Sequence, residues 1–270
     1  MSWKPGRLQG EIAGIGIDEW FRTGFELAEE RLEGGATSSP LVPEALRPYL
    51  SAEAENVLML PISEKVRQDD WQAALSKAKV AFGRGGLALT LSSLREGSRP
   101  VRLVGADSQS GRHILSLDLI PDPRGVGIRH SAMDGRPGSH NDLVALLKNA
   151  QSAVPEIEVL VCPDYPRGKG FERLLPFLDS LSTWSRPELR WEFPEQLLPS
   201  CGVVGGIWNL YWLLDGYRLG EWQQPGGLLS LDEDSALAGV TLVAPACGAG
   251  ESTDWLTHRP GPVLAGAPTT

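Results

Sequence analysis

Apolar and polar positions follow two spacings along the chain, and these predict which segments are strands and which are helices. Alternating or continuous apolar runs predict strands at NVLMLPI, GLALTLSSL, VRLVGAD, RHILSLDLI, GVGIRH, EIEVLVC, ELRWEF and GVTLVAP. Helical spacing predicts helices at IDEWFRTGFELAEERLEGG, DDWQAALSKAKVAF, NDLVALLKNAQSA, FERLLPFLDSLSTW and the segment that begins at Cys201. Strands followed by strand–helix alternation predict an α+β fold with a central mixed β-sheet flanked by helices. The sequence shows no internal repeat.

Local composition divides the chain into three zones. Residues 1–50 combine one predicted helix with a connector rich in Ser and Pro, which is typical of an appended arm or helical lobe. Residues 51–245 carry the alternating elements and are predicted to form one catalytic α/β domain. Residues 246–270 are rich in Gly, Pro and Thr and are predicted to be a flexible tail.

Charge and cysteine content narrow the class of function. A net charge of -9 over 270 residues offers no basic field for phosphates, so we expect no binding to nucleic acid. Three widely spaced cysteines without a CxxC pair argue against a disulfide framework and a structural metal site. The N-terminus lacks the apolar core of a signal peptide, and no run is long enough to span a membrane. These features predict a soluble protein that works in a reducing compartment.

Cys201 stands at the start of a long apolar helix, in the stretch SCGVVGGIWNLYWLL. Unpaired backbone N–H groups and the helix dipole lower the pKa of a thiol at that position, and the thiolate is the reactive form. Gly202 would allow close approach of a substrate carbonyl or another backbone, and Gly205–Gly206 would let the first turn of the helix pack tightly. The alternative is that Cys201 is a small buried apolar residue. A second glycine-rich stretch, FGRGG at 82–86, lacks the residues of a phosphate-binding loop and is predicted to be a turn.

Further residues suggest a complete catalytic set around the thiol. His113 opens a predicted strand, and Asp134 follows the next one, so a hairpin would place the two side by side. A histidine base oriented by a carboxylate is the usual means of activating a cysteine nucleophile. Gln196, in the segment before the cysteine, could donate to an oxyanion. His130 and His258 are alternative bases.

The order His, Asp, Gln, Cys resembles the clan CE cysteine proteases, which include the SUMO and ubiquitin-like proteases and the YopJ-family effector acetyltransferases. RHILSLDL resembles the YopJ-type histidine strand, with Asp118 five positions after His113, and AENVLMLPISEKVRQ resembles the segment upstream of it. Ile114 stands where the SUMO proteases have Trp, which favours the acetyltransferase branch. The resemblance covers about residues 55–220. The sequence departs from it in having Asp134 instead of Glu, a longer interval before the cysteine, and a glutamine one residue too close to it.

The resemblance implies a cysteine-protease-like core and a two-step reaction. Cys201 would take an acetyl group from acetyl-CoA as a thioester and pass it to Ser, Thr or Lys of a host protein. Arg167, Lys169 and Arg173 would bind inositol hexakisphosphate or the phosphates of acetyl-CoA. A secretion chaperone would be a further partner, the location would be a host cytoplasm reached from a bacterium, and no metal is implied. A ubiquitin- or SUMO-type protease and a noncatalytic protein-binding effector are the alternatives.

Overall fold

The fold is built on one large mixed sheet that carries helices on its faces. The computed structural model describes residues 1–23, 40–95, 97–108, 112–134, 140–163, 179, 181, 184, 189–198, 201–232 and 238–246. The strands are β1 Ser2–Ile12, β2 Ile15–Gly16, β3 Glu55–Leu60, β4 Ala78–Phe82, β5 Val101–Asp107, β6 His113–Pro121, β7 Val126–Asp134, β8 Val159–Val161, β9 Arg190–Glu192, β10 Gly226–Leu231 and β11 Ala238–Pro245. The helices are α1 Ile17–Thr23, α2 Pro43–Leu46, α3 Gln68–Ala74, α4 Gly85–Leu94, α5 His140–Ala153 and α6 Val203–Arg218. Short 3-10 turns cover Arg47–Tyr49, Ile62–Arg67 and Pro194–Leu197.

The strand order reveals an internal duplication that the sequence does not show. The main path of the sheet runs β4-β3-β5-β6-β1-β7-β11-β10-β8-β9, and β2 pairs with β1 alone. In each half the two outermost pairs are parallel and the two pairs nearer the middle are antiparallel. The halves meet where Ser2 and Trp3 of β1 pair with Gly127 and Val126 of β7. Helix α4 lies in the chain between β4 and β5, as α6 lies between β9 and β10, so the two helices are equivalent in the order of elements.

The first strand lies in the middle of the sheet. β1 pairs with β6 along most of its length and with β7 at its N-terminal end, and Trp3 and Ile12 are buried. Part of the segment that the sequence assigns to an N-terminal arm is thus a central strand. The sequence did not indicate it because SWKPGRLQGEI contains a proline, two glycines and four charged or amide side chains.

β1 also separates the two strands that were expected to form a hairpin. β6 and β7 both run antiparallel to β1, on opposite sides of it, so they point in the same direction. His113 begins β6 and Asp134 ends β7, with roughly 25 Å of strand on each side of the intervening turn. The hairpin prediction was therefore wrong. His113 and Asp134 lie at opposite ends of two strands that run in the same direction.

The two equivalent helices α4 and α6 lie together against the middle of the sheet. One large buried cluster includes residues from both helices and both halves, among them Leu87, Leu91, Val204, Ile207 and Trp208. Two further clusters lie elsewhere, one built around α5 with β10 and β11, the other around Trp71 with β3 and β5. None of the described helices has the length and hydropathy needed to cross a membrane.

Two predicted elements differ in type from the observed ones. GLALTLSSL was predicted as a strand because its apolar residues alternate, but it forms α4. This helix is buried on most sides, so its apolar residues do not form a single stripe. The alternation of apolar residues in its sequence is therefore not evidence for a strand. The predicted helix over 69–82 ends at α3, and its last residues form the edge strand β4, which pairs with β3 in parallel. The predicted central mixed sheet flanked by helices is confirmed.

The central position of β1 leads to a stability prediction. Ile12→Ala should lower the free energy of unfolding by about 2–5 kcal/mol, because Ile12 is fully buried in the central cluster. Val66→Ala, at a side chain that is 90% exposed, should change it by less than about 0.5 kcal/mol. Urea unfolding followed by circular dichroism measures both. Equal small losses would mean that β1 is not part of the cooperative core.

Candidate active site

Cys201 lies two residues before α6, at the centre of the fold. Its side chain is a free thiol and is 1% exposed. Gly202, the N-cap residue of α6, has φ 52° and ψ -126°, a conformation that glycine adopts far more easily than residues with a Cβ. The helix that follows is apolar and buried over its first two turns. The thiol therefore stands at a helix start, as the sequence predicted, in a fully enclosed position.

A buried carboxylate lies directly against Gly202. Asp107 is the last residue of β5 and is 2% exposed. A Cβ built at Gly202 would lie 1.9 Å from Asp107 Oδ2, so any other residue there would collide with the carboxylate. Glycine is needed at 202 both for its backbone conformation and for the space that Asp107 fills. This places a carboxylate immediately beside the residue that follows the thiol.

A second buried carboxylate reaches the first turn of the same helix. Glu195 Oε1 accepts hydrogen bonds from Arg84 Nη1 at 2.7 Å and from Asn209 Nδ2 at 2.5 Å. A Cβ at Gly205 would lie 2.6 Å from Glu195 Oε2, so this glycine also makes room for a carboxylate. The indole of Trp208 donates to the carbonyl of Pro194 at 3.1 Å and holds the 3-10 turn against α6. The glycines in the first turn of α6 thus accommodate two acidic side chains.

The start of α4 is closed by a third carboxylate. Asp232, which follows β10, accepts hydrogen bonds from the backbone N–H groups of Arg84 at 2.8 Å and Gly85 at 3.3 Å. These are N–H groups that a helix leaves unpaired at its N-terminus. The guanidinium of Arg84 donates a hydrogen bond to Glu195. Arg84 therefore links the starts of the two central helices. The FGRGG stretch, predicted to be a turn, supplies this connection.

The surroundings of the thiol oppose its ionisation. Burial raises the pKa of Cys201 well above its usual value, and the negative charges of Glu195 and Asp107 raise it further. The guanidinium of Arg84 and the backbone N–H of Gly205 lower the pKa, but by less. The sequence-based expectation of a thiol with a lowered pKa at the helix start is therefore wrong. Cys201 is protonated at neutral pH.

His113 is near this site, but its orientation does not suit a base. It is fully buried and lies opposite Asp107 across the β5–β6 pair, so the two side chains point to the same face of the sheet. Its Nδ1 accepts a hydrogen bond from the backbone N–H of Ala13 at 3.1 Å. A neutral ring with that bond carries its proton on Nε2. Neither ring nitrogen then has a lone pair available for the proton of the thiol.

The other predicted catalytic residues are not assembled around Cys201. Asp134 pairs with Ala238 of β11 in the other half of the sheet. Gln196 is exposed, whereas its neighbour Glu195 is the residue of that turn that points inward. His130 lies in β7, where burial and the charge of Arg95 lower its pKa. The structure thus places His113 opposite Asp107, and it leaves the predicted acid and amide elsewhere.

The predicted basic cluster, Arg167, Lys169 and Arg173, lies outside the described residues. His258 and Cys247 also lie outside them. Asp118, which carried part of the resemblance, forms a two-bond ion pair with Arg102 at 2.6 and 2.8 Å. Among the residues described, no three His, Cys, Asp or Glu side chains form a group that could hold a metal ion.

Comparison with solved structures identifies the fold. An oxazolomycin ketosynthase domain of Streptomyces albus JA3453 matches with a TM-score of 0.59 at 9% identity, covering 92% of this chain and 96% of that chain. A tetronic acid condensing enzyme matches with a TM-score of 0.51 at 14% identity, covering 79% and 88%. The 3-oxoacyl-(acyl carrier protein) synthase III of Pseudomonas aeruginosa matches with a TM-score of 0.50 at 12% identity, covering 91% and 99%. The chain has the fold of the thiolase-like condensing enzymes. No family model and no curated protein matches it by sequence.

This fold overturns the resemblance on which the sequence-based function depended. Clan CE cysteine proteases and YopJ-type acetyltransferases have a different fold, so the predicted protease-like core, the effector acetyltransferase and the protease are all incorrect. The virulence-related interpretation depended on the same resemblance and is also wrong. Binding of inositol hexakisphosphate, a host protein or a secretion chaperone has no support. The predicted location in a host cell depended on the same resemblance and stays a prediction.

The residues that surround the thiol were largely missed by sequence reasoning. Asp107 ends a buried strand, Glu195 stands next to the glutamine that was chosen, and Arg84 lies between glycines. Asp107 and Arg84 are each a charged side chain within an otherwise apolar or small-residue stretch. Charged residues are rarely buried unless paired, so this context was the available signal.

The buried pair between Arg84 and Glu195 should dominate the stability of the site. Glu195→Gln should lower the free energy of unfolding by about 3–5 kcal/mol, because it removes the negative partner of a guanidinium that is 4% exposed. Asp215→Asn, in the exposed pair with Arg218, should cost less than about 1 kcal/mol. Thermal and urea unfolding measure both. A similar small loss for the two variants would show that the buried pair contributes little.

The raised pKa of Cys201 predicts its reactivity. Alkylation by iodoacetamide should be slow at pH 7.5 and should keep rising past pH 9, because only the thiolate reacts and its fraction grows with pH. Mass spectrometry of the peptide containing Cys201 follows the rate, and Cys201→Ser identifies the signal. A rate that levels off below pH 8 would contradict the raised pKa.

Proposed function

We propose that this protein acts on an acyl group carried as a thioester, by acyl transfer or condensation, with Cys201 as the acyl acceptor. The observation that carries this proposal is the position of the thiol. Cys201 is a free cysteine at the start of a central helix in a fold shared with ketosynthases and other condensing enzymes. The donor would be an acyl-CoA or an acyl group on a carrier protein, because the 3-oxoacyl-(acyl carrier protein) synthase among the similar structures acts on such a carrier.

The surroundings of Cys201 suit a covalent acyl group once the thiol has lost its proton. A thioester is neutral, so acylation removes the charge problem that burial and two carboxylates create for the thiolate. The apolar side chains of Val204, Ile207 and Trp208 lie in the same buried cluster as Cys201 and could line the acyl chain. Water is excluded from this region, which would protect a thioester from hydrolysis.

The two steps balance without a cofactor or metal. The sulfur of Cys201 attacks the carbonyl carbon of the donor thioester, the donor C–S bond breaks, and the donor thiol leaves with the proton that the cysteine gave up. In the second step the nucleophilic atom of the acceptor substrate attacks the carbonyl carbon, the C–S bond to Cys201 breaks, and the proton that the acceptor loses returns to the sulfur. Because the resting thiol has a raised pKa, loading requires a nearby proton acceptor.

Acyl loading is the direct test. After incubation with acetyl-CoA, octanoyl-CoA or palmitoyl-CoA, intact-protein mass spectrometry should show a mass increase of one acyl group, and hydroxylamine should remove it. Cys201→Ala should abolish the adduct. Cys162→Ala is the matched control because Cys162 is also a buried free thiol, placed at the end of β8, and it should load like the unchanged protein.

Two results would contradict the proposal. One is the absence of an adduct with every acyl-CoA and with an acylated carrier protein. The other is an adduct that persists in Cys201→Ala. Either would mean that the fold is used without an acyl-enzyme at Cys201.

A further inference from the structure

A surface cavity lies beside β1, where this strand meets β2, α1 and the 3-10 turn Arg47–Tyr49. Its volume is about 260 Å³, and its lining residues include Arg7, Gln9, Gly10, Asp18, Pro48 and Tyr49. None of the lining residues belongs to the set described around Cys201, so a ligand at this place does not depend on the proposed function. Sites for drug-sized ligands begin at about 300 Å³, so the cavity suits a smaller molecule.

Arg7 brings a positive charge to the cavity. Among the described residues it forms no ion pair, whereas Arg112 pairs with Glu11 of the same strand. With the amide of Gln9 turned so that its oxygen faces Arg7, that oxygen lies 2.9 Å from Nε and 3.0 Å from each Nη. Nearly equal distances to three nitrogens place the oxygen over the face of the planar guanidinium, so the contact does not use the N–H groups at its edge. Gln9 thus holds Arg7 without neutralising its charge.

Asp18 brings a negative charge to the same cavity. A molecule that complements both charges carries an anionic and a cationic group on a small frame. An α-amino acid is such a molecule, because its carboxylate can accept two parallel hydrogen bonds from a guanidinium and its ammonium group can donate to a carboxylate. We therefore propose that this cavity binds a free α-amino acid, with Arg7 on its carboxylate and Asp18 on its ammonium group.

The open side of β1 supplies further polar groups. On the side away from β6, β1 pairs with β7 only at its N-terminal end and with β2 only at its C-terminal end. No described strand pairs with residues 4–10 on that side. Unpaired N–H and C=O groups of a strand edge can form hydrogen bonds with another molecule. Gly10 lines the cavity at this edge and has no side chain to cover the backbone.

Pro48 and Tyr49 form a wall of the cavity that suits an apolar side chain. The backbone carbonyl of Tyr49 lies 3.5 Å from Arg102 Nη1, and Arg102 is itself held by both carboxylate oxygens of Asp118. The turn is thus placed against β5. We expect an amino acid with an apolar or aromatic side chain to bind more tightly than one with a charged side chain.

The charges of the cavity do not favour a phosphate-rich ligand. The lining residues include one arginine and one aspartate and no other charged side chain, so they carry no net positive charge. A nucleotide or the phosphates of CoA require an excess of positive charge. ATP therefore serves as a negative control in the experiment.

Isothermal titration calorimetry of the full chain against the twenty standard amino acids tests the proposal. At least one amino acid with an apolar or aromatic side chain should bind with a Kd below about 1 mM. Its N-acetyl derivative lacks the ammonium charge and its amide lacks the carboxylate. Each of these analogues should bind about 10-fold more weakly or worse, because each loses a charge-assisted hydrogen bond.

Variants of the two charged residues assign the site. Arg7→Gln should weaken binding of the amino acid by about 10-fold or more, and Arg7→Lys should lie between, because it keeps the charge but loses the planar fork. Asp18→Asn should weaken the amino acid but leave the affinity of its N-acetyl derivative within about twofold. Arg47→Gln is the matched control, because Arg47 is an exposed arginine of the adjoining turn that pairs with Glu44. This variant should bind like the unchanged protein.

Three results would overturn the proposal. The first is that no amino acid binds at about 10 mM. The second is an unchanged affinity in Arg7→Gln with the fold intact by circular dichroism. The third is equal binding of the amino acid and its N-acetyl derivative, which would show that the ammonium group is not recognised. Acyl loading at Cys201 bears on none of these results, so the proposed function stands or fails separately.

Discussion

The buried ion pair between Arg84 and Glu195 fixes the centre of this molecule. Removing both charges from water costs several kcal/mol per ion, so the pair is stable only when its geometry is good and its remaining polar atoms have partners. Asn209 supplies one further bond to Glu195, and Asp232 receives the backbone N–H of Arg84. These contacts come from both halves of the duplicated sheet. The need to satisfy one buried pair therefore determines how α4 and α6 start and how they face each other.

Burial and the same charges together oppose ionisation of the Cys201 thiol. The N-terminal end of a helix stabilises a negative charge by about 0.3–1 kcal/mol, and by up to about 2 kcal/mol in favourable, partly buried sites. A carboxylate about 5 Å away opposes it by about 3 kcal/mol at an effective dielectric constant of 20. For Cys201, burial raises the pKa most, the charges of Glu195 and Asp107 raise it further, and the guanidinium of Arg84 lowers it. A helix start therefore does not activate a cysteine when acidic side chains fill the space that the glycines leave.

The sequence predicted the elements better than their arrangement. Strands β3, β5, β6, β7, β8, β9 and β11 and helices α5 and α6 lie where the apolar spacing placed them. The order of strands could not be predicted, because pairing between distant segments leaves no local signal, and β1 has too few apolar residues to be noticed. The assumption that β6 and β7 form a hairpin followed from the short turn between them, and the N-terminal strand invalidates it.

Prediction of the site failed for a related reason. Cys201 was identified because its signal is local: a small polar turn that enters an apolar helix. Asp107 comes from β5 and Glu195 from the turn before α6. Only the tertiary structure shows that these carboxylates lie against Gly202 and Gly205, where a Cβ would collide with them. The sequence predicts close approach of a substrate or another backbone at Gly202 and tight packing at Gly205–Gly206, whereas the structure fills the space at Gly202 and Gly205 with carboxylates.

The duplication allows the two central helix starts to be compared residue by residue. α4 and α6 are equivalent in the fold, and position 83, two residues before α4, corresponds to Cys201 before α6. At α4 that position is a glycine. The carboxylate of Asp232 accepts hydrogen bonds from the N–H groups of Arg84 and Gly85, so these donors are not available to another anion. At α6 the equivalent position is a cysteine, Asp107 and Glu195 lie against Gly202 and Gly205, and the backbone N–H of Gly205 lowers the pKa of the thiol. The two equivalent helix starts of this framework therefore carry different charges in different positions.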